Sequence, residues 1–251
     1  MTFDKIQQEP AYRVVANAIE QGIMSGAIKA GDPLPSETAL AEQLGVNRST
    51  VREGIRLLEE NGLVRRSDGG KRLFASIPGA QELGRRMSRA MVLHEVTFEE
   101  LWEIVMVLEP CAAEHAARRA RPEDLEAIED NLRRTHEALG GDHGQIAELD
   151  IEFHSLVAEA AHNRALILSR EALGRLFYTA FDAVFSRLNA GGRLLFAHQA
   201  IVSAIRLQNA KDARDWMERH IVDFRRGYEL ASLDISGPVG GTEEVSSADD
   251  P

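Results

Sequence analysis

Residues 34–72 constrain the fold more than any other part of the sequence, because helix caps, apolar repeats and a turn signal follow one another there in a fixed order. Ser36 precedes a short run in which Leu40 and Leu44 repeat at helical spacing, and a glycine follows that run. A second helix is predicted to begin after Asn47, which is also suited to capping a helix. Two short helices joined by a tight turn are therefore expected.

The second of these helices separates apolar from basic residues. Val51, Ile55 and Leu58 are spaced to form a buried stripe. The opposite face carries Arg48, Ser49, Arg52 and Arg56. Side chains near the N-terminus of such a helix can reach base edges in the major groove of DNA, and arginine pairs well with guanine. This face is expected to contact DNA.

A basic hairpin is predicted directly after the second helix. Residues 63–66 and 72–74 have the composition of short strands, and Asp68-Gly69-Gly70 between them is a strong turn signal. Two helices followed by such a hairpin predict a winged helix-turn-helix.

The charge distribution agrees with a local DNA-binding surface. The whole chain has a formal net charge of −11, which by itself argues against a nucleic-acid partner. Between Arg48 and Arg72, however, seven basic residues stand against four acidic ones. An ordinary solvated face would also contain arginines, but the coincidence of cap, turn and hairpin favours DNA binding, which should depend on salt.

These motifs resemble the N-terminal domain of the GntR family of bacterial transcription regulators, which typically has LPSE, a short helix, a GV turn, a VRE helix, GLV and a wing. The resemblance implies that Arg48 and Arg52 contact bases, and that Lys71 or Arg72 contacts the minor groove or the backbone. The expected phosphate contacts are Asn47, Ser49 and Thr50. Thr38 departs from the family, since many members have arginine there.

The length of 251 residues suits two domains. We expect a DNA-binding domain over residues 1–77, a helical domain over 78–234 and a disordered acidic tail over 235–251. No apolar run is long enough to span a membrane and no signal peptide is recognisable, so the expected location is the cytoplasm. The single cysteine, Cys111, excludes an intramolecular disulfide and a cysteine-rich zinc site.

From residue 80 onward the sequence shows only helical patterns. Their breaks predict an all-α bundle of seven helices, and the whole chain is therefore mainly α. The predicted helices are 80–92, 97–120, 122–139, 144–162, 164–189, 193–208 and 210–231.

Four polar residues lie on apolar helix faces of this predicted bundle: Asp150, His154, His198 and His220. The first two are four residues apart, so they project from the same side of one helix. Three imidazoles and a carboxylate are suitable ligands for a divalent transition metal. By spacing alone, a histidine on an apolar face is more often an ordinary core residue.

The helical region resembles the FCD effector domain that often follows a GntR DNA-binding domain, in its seven-helix FadR-type form. The resemblance rests on three motifs: DIEFH at Asp150–His154, HQAIVSAI at His198 and MERHI at His220. The resemblance implies that these residues and Asp150 bind a metal, zinc or nickel first among the candidates. It also implies a small-molecule effector, commonly an organic acid. Val105 stands where the family has an arginine that faces the effector, so a less anionic or more apolar ligand is also conceivable.

The favoured function is that of a metabolite-responsive regulator, a repressor of transcription, that binds an inverted-repeat DNA operator as a homodimer. One alternative is a metal-dependent hydrolase, because a metal with an open position can activate water. Against it, Glu152 points away from Asp150 around the helix, so no general base faces the cluster. The other alternative is a helical dimerisation module without a ligand.

Overall fold

The computed structural model describes residues 9–67, 70–141, 143–178, 184, 188 and 191–239. The chain divides into two compact units between Glu82 and Leu83, a few residues beyond the boundary expected from the sequence. Among the described residues, no helix is both long and apolar enough to cross a membrane.

The first unit is a winged helix-turn-helix, which confirms the predicted fold class. Its elements are α1 (Ala11–Met24), α2 (Glu37–Leu44), α3 (Arg48–Glu60), β1 (Val64–Arg66) and β2 (Leu73–Ala75). Helix α3 packs against α1 and α2. Its predicted stripe of Val51, Ile55 and Leu58 is fully buried in the core of this unit.

The two helix starts differ in how they are capped. The Ser36 hydroxyl accepts a hydrogen bond from the backbone N–H of Ala39 at 3.2 Å, as its position predicts. Asn47 holds the N-cap position of α3, but its side chain makes no capping bond. Leu44 is 39% exposed, contrary to the predicted stripe, because α2 ends there and only the side with Leu40 faces the core.

The two strands of the hairpin are antiparallel, and Val64 pairs with Ala75. Both strands begin one residue later than predicted, and the second also ends one residue later. The chain before α2 extends this pairing, because the N–H groups of Gly31 and Leu34 donate to the carbonyls of Ala75 and Leu73. The turn residues Asp68 and Gly69 lie outside the described residues.

The second unit is all helical in its described part, as predicted. Its helices are α4 (Ala80–Leu93, which begins in the first unit), α5 (Phe98–Arg119), α6 (Pro122–Ala138), α7 (His143–Ala160), α8 (Arg164–Tyr178), α9 (Gly191–Arg206) and α10 (Ala210–Leu230). Helix α5 packs against α7, α8, α9 and α10, so it forms the centre of the bundle. The helix predicted over 164–189 is described as continuous only to Tyr178, and most of the remainder lies outside the described residues.

The prediction of a disordered tail from Ile235 onward is wrong for residues 235–239, which are ordered against α5. Residues 235–239 run beside the start of α5, where the N–H groups of Phe98 and Glu99 donate to the carbonyls of Gly237 and Ile235. Backbone amides in the first turn of a helix have no partner within the helix, so this segment satisfies them. Val239 is buried at the same place. Residues 240–251 lie outside the described residues.

Candidate functional site

The residues predicted to contact DNA lie at the start of α3 and on the hairpin of the first unit. Arg48 and Arg52 stand one helical turn apart, with side chains 62% and 58% exposed. The remaining predicted contacts are exposed or half-buried: Asn47, Ser49, Thr50, Lys71 and Arg72. Because these side chains are accessible, they can meet a duplex without unfolding the domain.

One acidic residue, for which no role was predicted, contacts Arg48 and Arg52 of α3 and also Arg66. Glu37, the first residue of α2, has its Oε2 3.6 Å from Arg48 Nε and 3.5 Å from Arg52 Nε. Its Oε1 accepts a hydrogen bond from Arg66 Nη2 at 3.2 Å. Burial raises the pKa of Glu37, but the hydrogen bond from Arg66 and the charge of Arg52 outweigh burial and hold that pKa below its usual value. The carboxylate is therefore ionised at neutral pH.

In the second unit, the four predicted metal ligands converge from three helices. Asp150 and His154 lie on α7, His198 on α9 and His220 on α10, and one ligand atom from each lies within 4.8 Å of the others. The first three side chains are fully buried and His220 is 7% exposed. The amphipathic pattern of each helix explains this convergence, because all three helices turn their apolar faces to one core.

The distances within this cluster suit a transition metal. The Nε2 atom of His220 lies 3.2 Å from that of His154 and 3.3 Å from that of His198. His198 Nε2 lies 3.2 Å from Asp150 Oδ1. Nitrogen ligands about 2.0–2.1 Å from a tetrahedral zinc ion are roughly 3.3 Å apart. The ligand atoms therefore already have a spacing that one ion can bridge.

The carboxylate of Asp150 has no hydrogen-bond donor outside the cluster among the described residues. Within the described part of the chain, neither carboxylate oxygen of Asp150 accepts a hydrogen bond. Burial raises the pKa of Asp150, and it lowers the pKa of His198 and of His220 well below the usual value. Neutral imidazoles can ligate a metal, and an unpaired buried carboxylate is unfavourable without a cation. The donor set thus fits a divalent metal ion.

A second layer of buried polar residues supports His154. Its Nδ1 lies 3.0 Å from Glu109 Oε2, and Glu109 Oε1 accepts from Arg170 Nε at 2.7 Å. Arg170 also donates through Nη1 to the Ser155 hydroxyl at 3.0 Å. Although burial raises the pKa of Glu109, the charge of Arg170 and the hydrogen bonds from His154 and Arg170 outweigh it and lower that pKa to about 2.

This second layer fixes which nitrogen of His154 can bind a metal. An ionised Glu109 only accepts hydrogen bonds, so it keeps the proton of His154 on Nδ1. The lone pair of Nε2 then faces the cluster. No sequence pattern predicted a role for Glu109, and Arg170 could not be found from spacing because it lies 61 residues away along the chain.

Glu152 and Val105 were singled out in the sequence, and neither side chain belongs to the cluster. Glu152 accepts hydrogen bonds from Asn131 and Arg134, at 3.1 and 2.7 Å, which agrees with the prediction that it points away from the cluster. Val105 is buried in the apolar core, where its side chain offers no charge to an effector.

The cluster approaches the surface at His220. A groove between α9 and α10 is lined by this histidine together with Arg193, Phe196 and Trp216. Phe196 is 61% exposed and meets Trp216 edge to face at 5.8 Å between ring centroids. Arg219 and Asp223 also line it, so the groove combines an apolar wall, two cations and one anion with the one ligand that is not fully buried.

A winged helix-turn-helix joined to a helical bundle with a buried polar centre defines a ligand-responsive DNA-binding protein. The chain matches the family model for bacterial regulatory proteins of the gntR family over residues 11–71 and that for the FCD domain over residues 100–223. Together with the relatives described next, these matches show that the chain belongs to the GntR family of transcription regulators, as its motifs predict.

Curated relatives share this architecture. The Glc operon transcriptional activator of Escherichia coli (strain K12) is 30% identical over 193 residues, which cover 74% of this chain and 73% of the relative. The HTH-type transcriptional regulator LutR of Bacillus subtilis (strain 168) is 30% identical over 82% of this chain and 97% of the relative. A Streptococcus agalactiae GntR structure aligns with a TM-score of 0.64 at 26% identity, covering 86% of this chain and 99% of that structure. The protein is accordingly a transcription regulator with an effector-binding domain, and not an enzyme.

Proposed function

We propose that the protein acts in the cytoplasm as a homodimer that represses transcription, and that one divalent transition metal ion per subunit helps it to respond to a small metabolite. The observation that carries the metal is the convergence of Asp150, His154, His198 and His220, with an otherwise unpartnered carboxylate among the described residues. Zinc and nickel are the first candidates for this nitrogen-rich donor set. Metal analysis of the purified protein tests this proposal, and a metal-free protein would contradict it.

The roles proposed for the DNA-contacting residues follow from their positions. Arg48 and Arg52 contact guanine edges, because they are exposed near the N-terminus of α3. Asn47, Ser49 and Thr50 bind phosphates, and Lys71 or Arg72 of the hairpin binds the minor groove or the backbone. Sequence selectivity would then come from the two arginines.

For the effector we propose a small carboxylic acid with an apolar body, bound beside the metal. When bound, the metal supplies positive charge and open coordination positions for an acid. Arg193 and Arg219 supply further positive charge, with Asp223 3.9 Å from Arg193, and Phe196 and Trp216 supply an apolar wall. A similar protein is named as a putative L-lactate dehydrogenase operon regulatory protein of Escherichia coli (strain K12). L-lactate and the bulkier L-mandelate are therefore informative first probes.

Exposed apolar side chains on helix α5 support the proposal of a homodimer. Ile104 and Val107 are three residues apart on one face of this helix, and they are 48% and 63% exposed. Exposed apolar side chains at helical spacing are typical of a face that packs against another helix. A second copy of this chain would bury them.

We expect the operator to be an inverted repeat, because a twofold dimer presents two equivalent α3 helices. DNA duplexes selected by the protein from a random pool should contain two half-sites about one helical turn, roughly 10 base pairs, apart or a multiple of it. Footprinting should show symmetric protection, and light scattering should show two chains on each duplex. A single asymmetric half-site occupied by one chain would contradict the dimer.

Glu109→Gln is expected to weaken metal binding by about 10–100-fold, as loss of a group that orients a ligating histidine commonly does. The neutral amide can present an N–H to His154 Nδ1 and so no longer enforces the required tautomer. Zinc affinity measured in competition with a chromophoric chelator tests this.

Glu103→Gln is the matched control, because Glu103 is an exposed residue of the same helix. The melting temperature of each metal-free variant is measured first, since Glu109→Gln leaves the Arg170 cation less well compensated. If folded Glu109→Gln bound zinc as tightly as Glu103→Gln, Glu109 would have no role in orienting His154.

A further inference from the structure

One carboxylate in the DNA-binding unit contacts both proposed base-contacting arginines. Glu37 Oε2 lies 3.6 Å from Arg48 Nε and 3.5 Å from Arg52 Nε. The carboxylate is 14% exposed, while both arginine side chains are more than half exposed. A largely buried anion therefore lies beside two largely exposed cations.

The carboxylate is itself held in place. Its other oxygen, Oε1, accepts from Arg66 Nη2 at 3.2 Å, and Arg66 Nε is held 2.8 Å from Glu59 Oε1. Glu37 is also the first residue of α2, where the helix dipole favours a negative charge. The position of this anion is thus fixed by the start of α2 and by Arg66 of β1, which Glu59 of α3 holds in turn.

The nitrogen atom through which each arginine contacts Glu37 determines which of its N–H groups can still bind a base. Both guanidinium groups meet Glu37 through Nε, the nitrogen next to the side-chain stem. The terminal Nη1–Nη2 edge lies on the far side of the planar group, and an arginine needs two adjacent N–H donors to bind the O6 and N7 atoms of guanine. Contact at Nε therefore leaves the terminal pair available to a base.

We propose that Glu37 is a specificity-determining positioning residue, which orients Arg48 and Arg52 for guanine and restrains them from binding phosphates at random. This inference rests on the proposed base contacts of the two arginines. An exposed arginine loses considerable side-chain freedom when it binds, and a carboxylate that fixes its direction beforehand reduces that loss. The same negative charge weakens attraction to the phosphate backbone, which carries no sequence information.

The proposal predicts opposite effects of Glu37→Gln on two kinds of DNA. One probe is the single duplex of about 20 base pairs that the wild-type protein selects from a random pool, and the other is the unselected pool of the same length. Affinity for the unselected pool should be unchanged or higher, because one negative charge is removed. The ratio of the two affinities should fall about tenfold, because the arginines are no longer oriented.

Glu59→Gln is the matched control. It removes the same charge from the same unit and also loses a contact with Arg66, but Glu59 has no contact with Arg48 or Arg52 in the described residues. It should raise both affinities alike and leave their ratio at the wild-type value. A ratio that falls equally in both variants would mean that direct contact with Arg48 and Arg52 does not set the selectivity, and would overturn the proposal.

Folding is checked by thermal melting of each variant. If Glu37→Gln does not fold, Glu37→Asp takes its place, because it keeps the charge at the helix start but is one methylene shorter. A wild-type ratio in whichever variant folds would overturn the proposal. Arg52→Ala tests the proposed base contacts separately. It should lose selectivity even if Glu37 has no positioning role, so the two proposals can fail independently.

Discussion

Replacing His198 by alanine is expected to abolish metal binding and the stabilisation that the metal provides. A ligand that binds only the folded state adds RT ln(1 + [L]/Kd) to the free energy of unfolding, about 2.7 kcal/mol at a hundredfold excess over Kd. For a domain of this size, that is a rise in melting temperature of roughly 5–10 °C. The wild-type protein should therefore melt higher with zinc or nickel than after chelation, and His198→Ala should show no such difference.

The control for this prediction is His94→Ala, because His94 is exposed and is not part of the cluster. It should respond to added metal as the wild-type protein does. Metal content measured before and after dialysis gives the stoichiometry, and one ion per subunit is expected. A metal-dependent melting shift that persisted in His198→Ala would place the ion elsewhere.

Removing the metal should also reduce the response to the effector more than it reduces basal DNA binding. An effector that contacts the ion would join α7, α9 and α10, and such contact can favour one conformation of the protein over another. DNA affinity is measured with and without L-lactate or L-mandelate, before and after chelation. If the chelated protein responded equally well to an active probe, the metal would be structural and the effector would bind at another place.

Arg52→Ala should remove the preference for the selected operator while the protein remains folded. The side chain is 58% exposed, so its loss leaves no cavity in the core. One bidentate arginine–guanine pair contributes about 1–3 kcal/mol of discrimination between bases. The affinity for the operator should therefore fall towards that for random DNA, as measured by titration of both duplexes at the same salt concentration.

Arg56→Ala is the matched control on the same helix. Arg56 lies one turn further along α3, is 70% exposed and pairs with Glu60 at 3.2 Å. Its loss should weaken binding to both duplexes alike, as expected for a general electrostatic contribution. An equal loss on operator and random DNA in Arg52→Ala itself would assign Arg52 to the phosphate backbone.

The local elements of this protein could be predicted because each depends on residues that are close in sequence. The Ser36 cap and the Val51, Ile55 and Leu58 stripe act within one or two helical turns. The ligand set could be proposed for a related reason. Each histidine lies on the apolar face of its own helix, and helices that share one core bring such faces together.

Contacts between distant residues were decided only by the tertiary structure. Glu109 meets Arg170 across 61 residues, and Glu37 meets Arg66 across 29. Neither pair has a signal in spacing or composition, because a charged side chain is usually solvated. The prediction of a tail from residue 235 rested on glycines, serines and acidic residues, and that composition gives no sign that the backbone of residues 235–239 binds the start of α5.

The sequence by itself determined the class of this protein, its two domains of different fold and the four residues that converge as candidate ligands. The tertiary structure decided how those residues are oriented, through Glu109 and Arg170 around His154 and through Glu37 beneath the arginines of α3. The physical reason is that periodicity specifies which face of an element is buried. Which charged groups then meet depends on how the elements pack together.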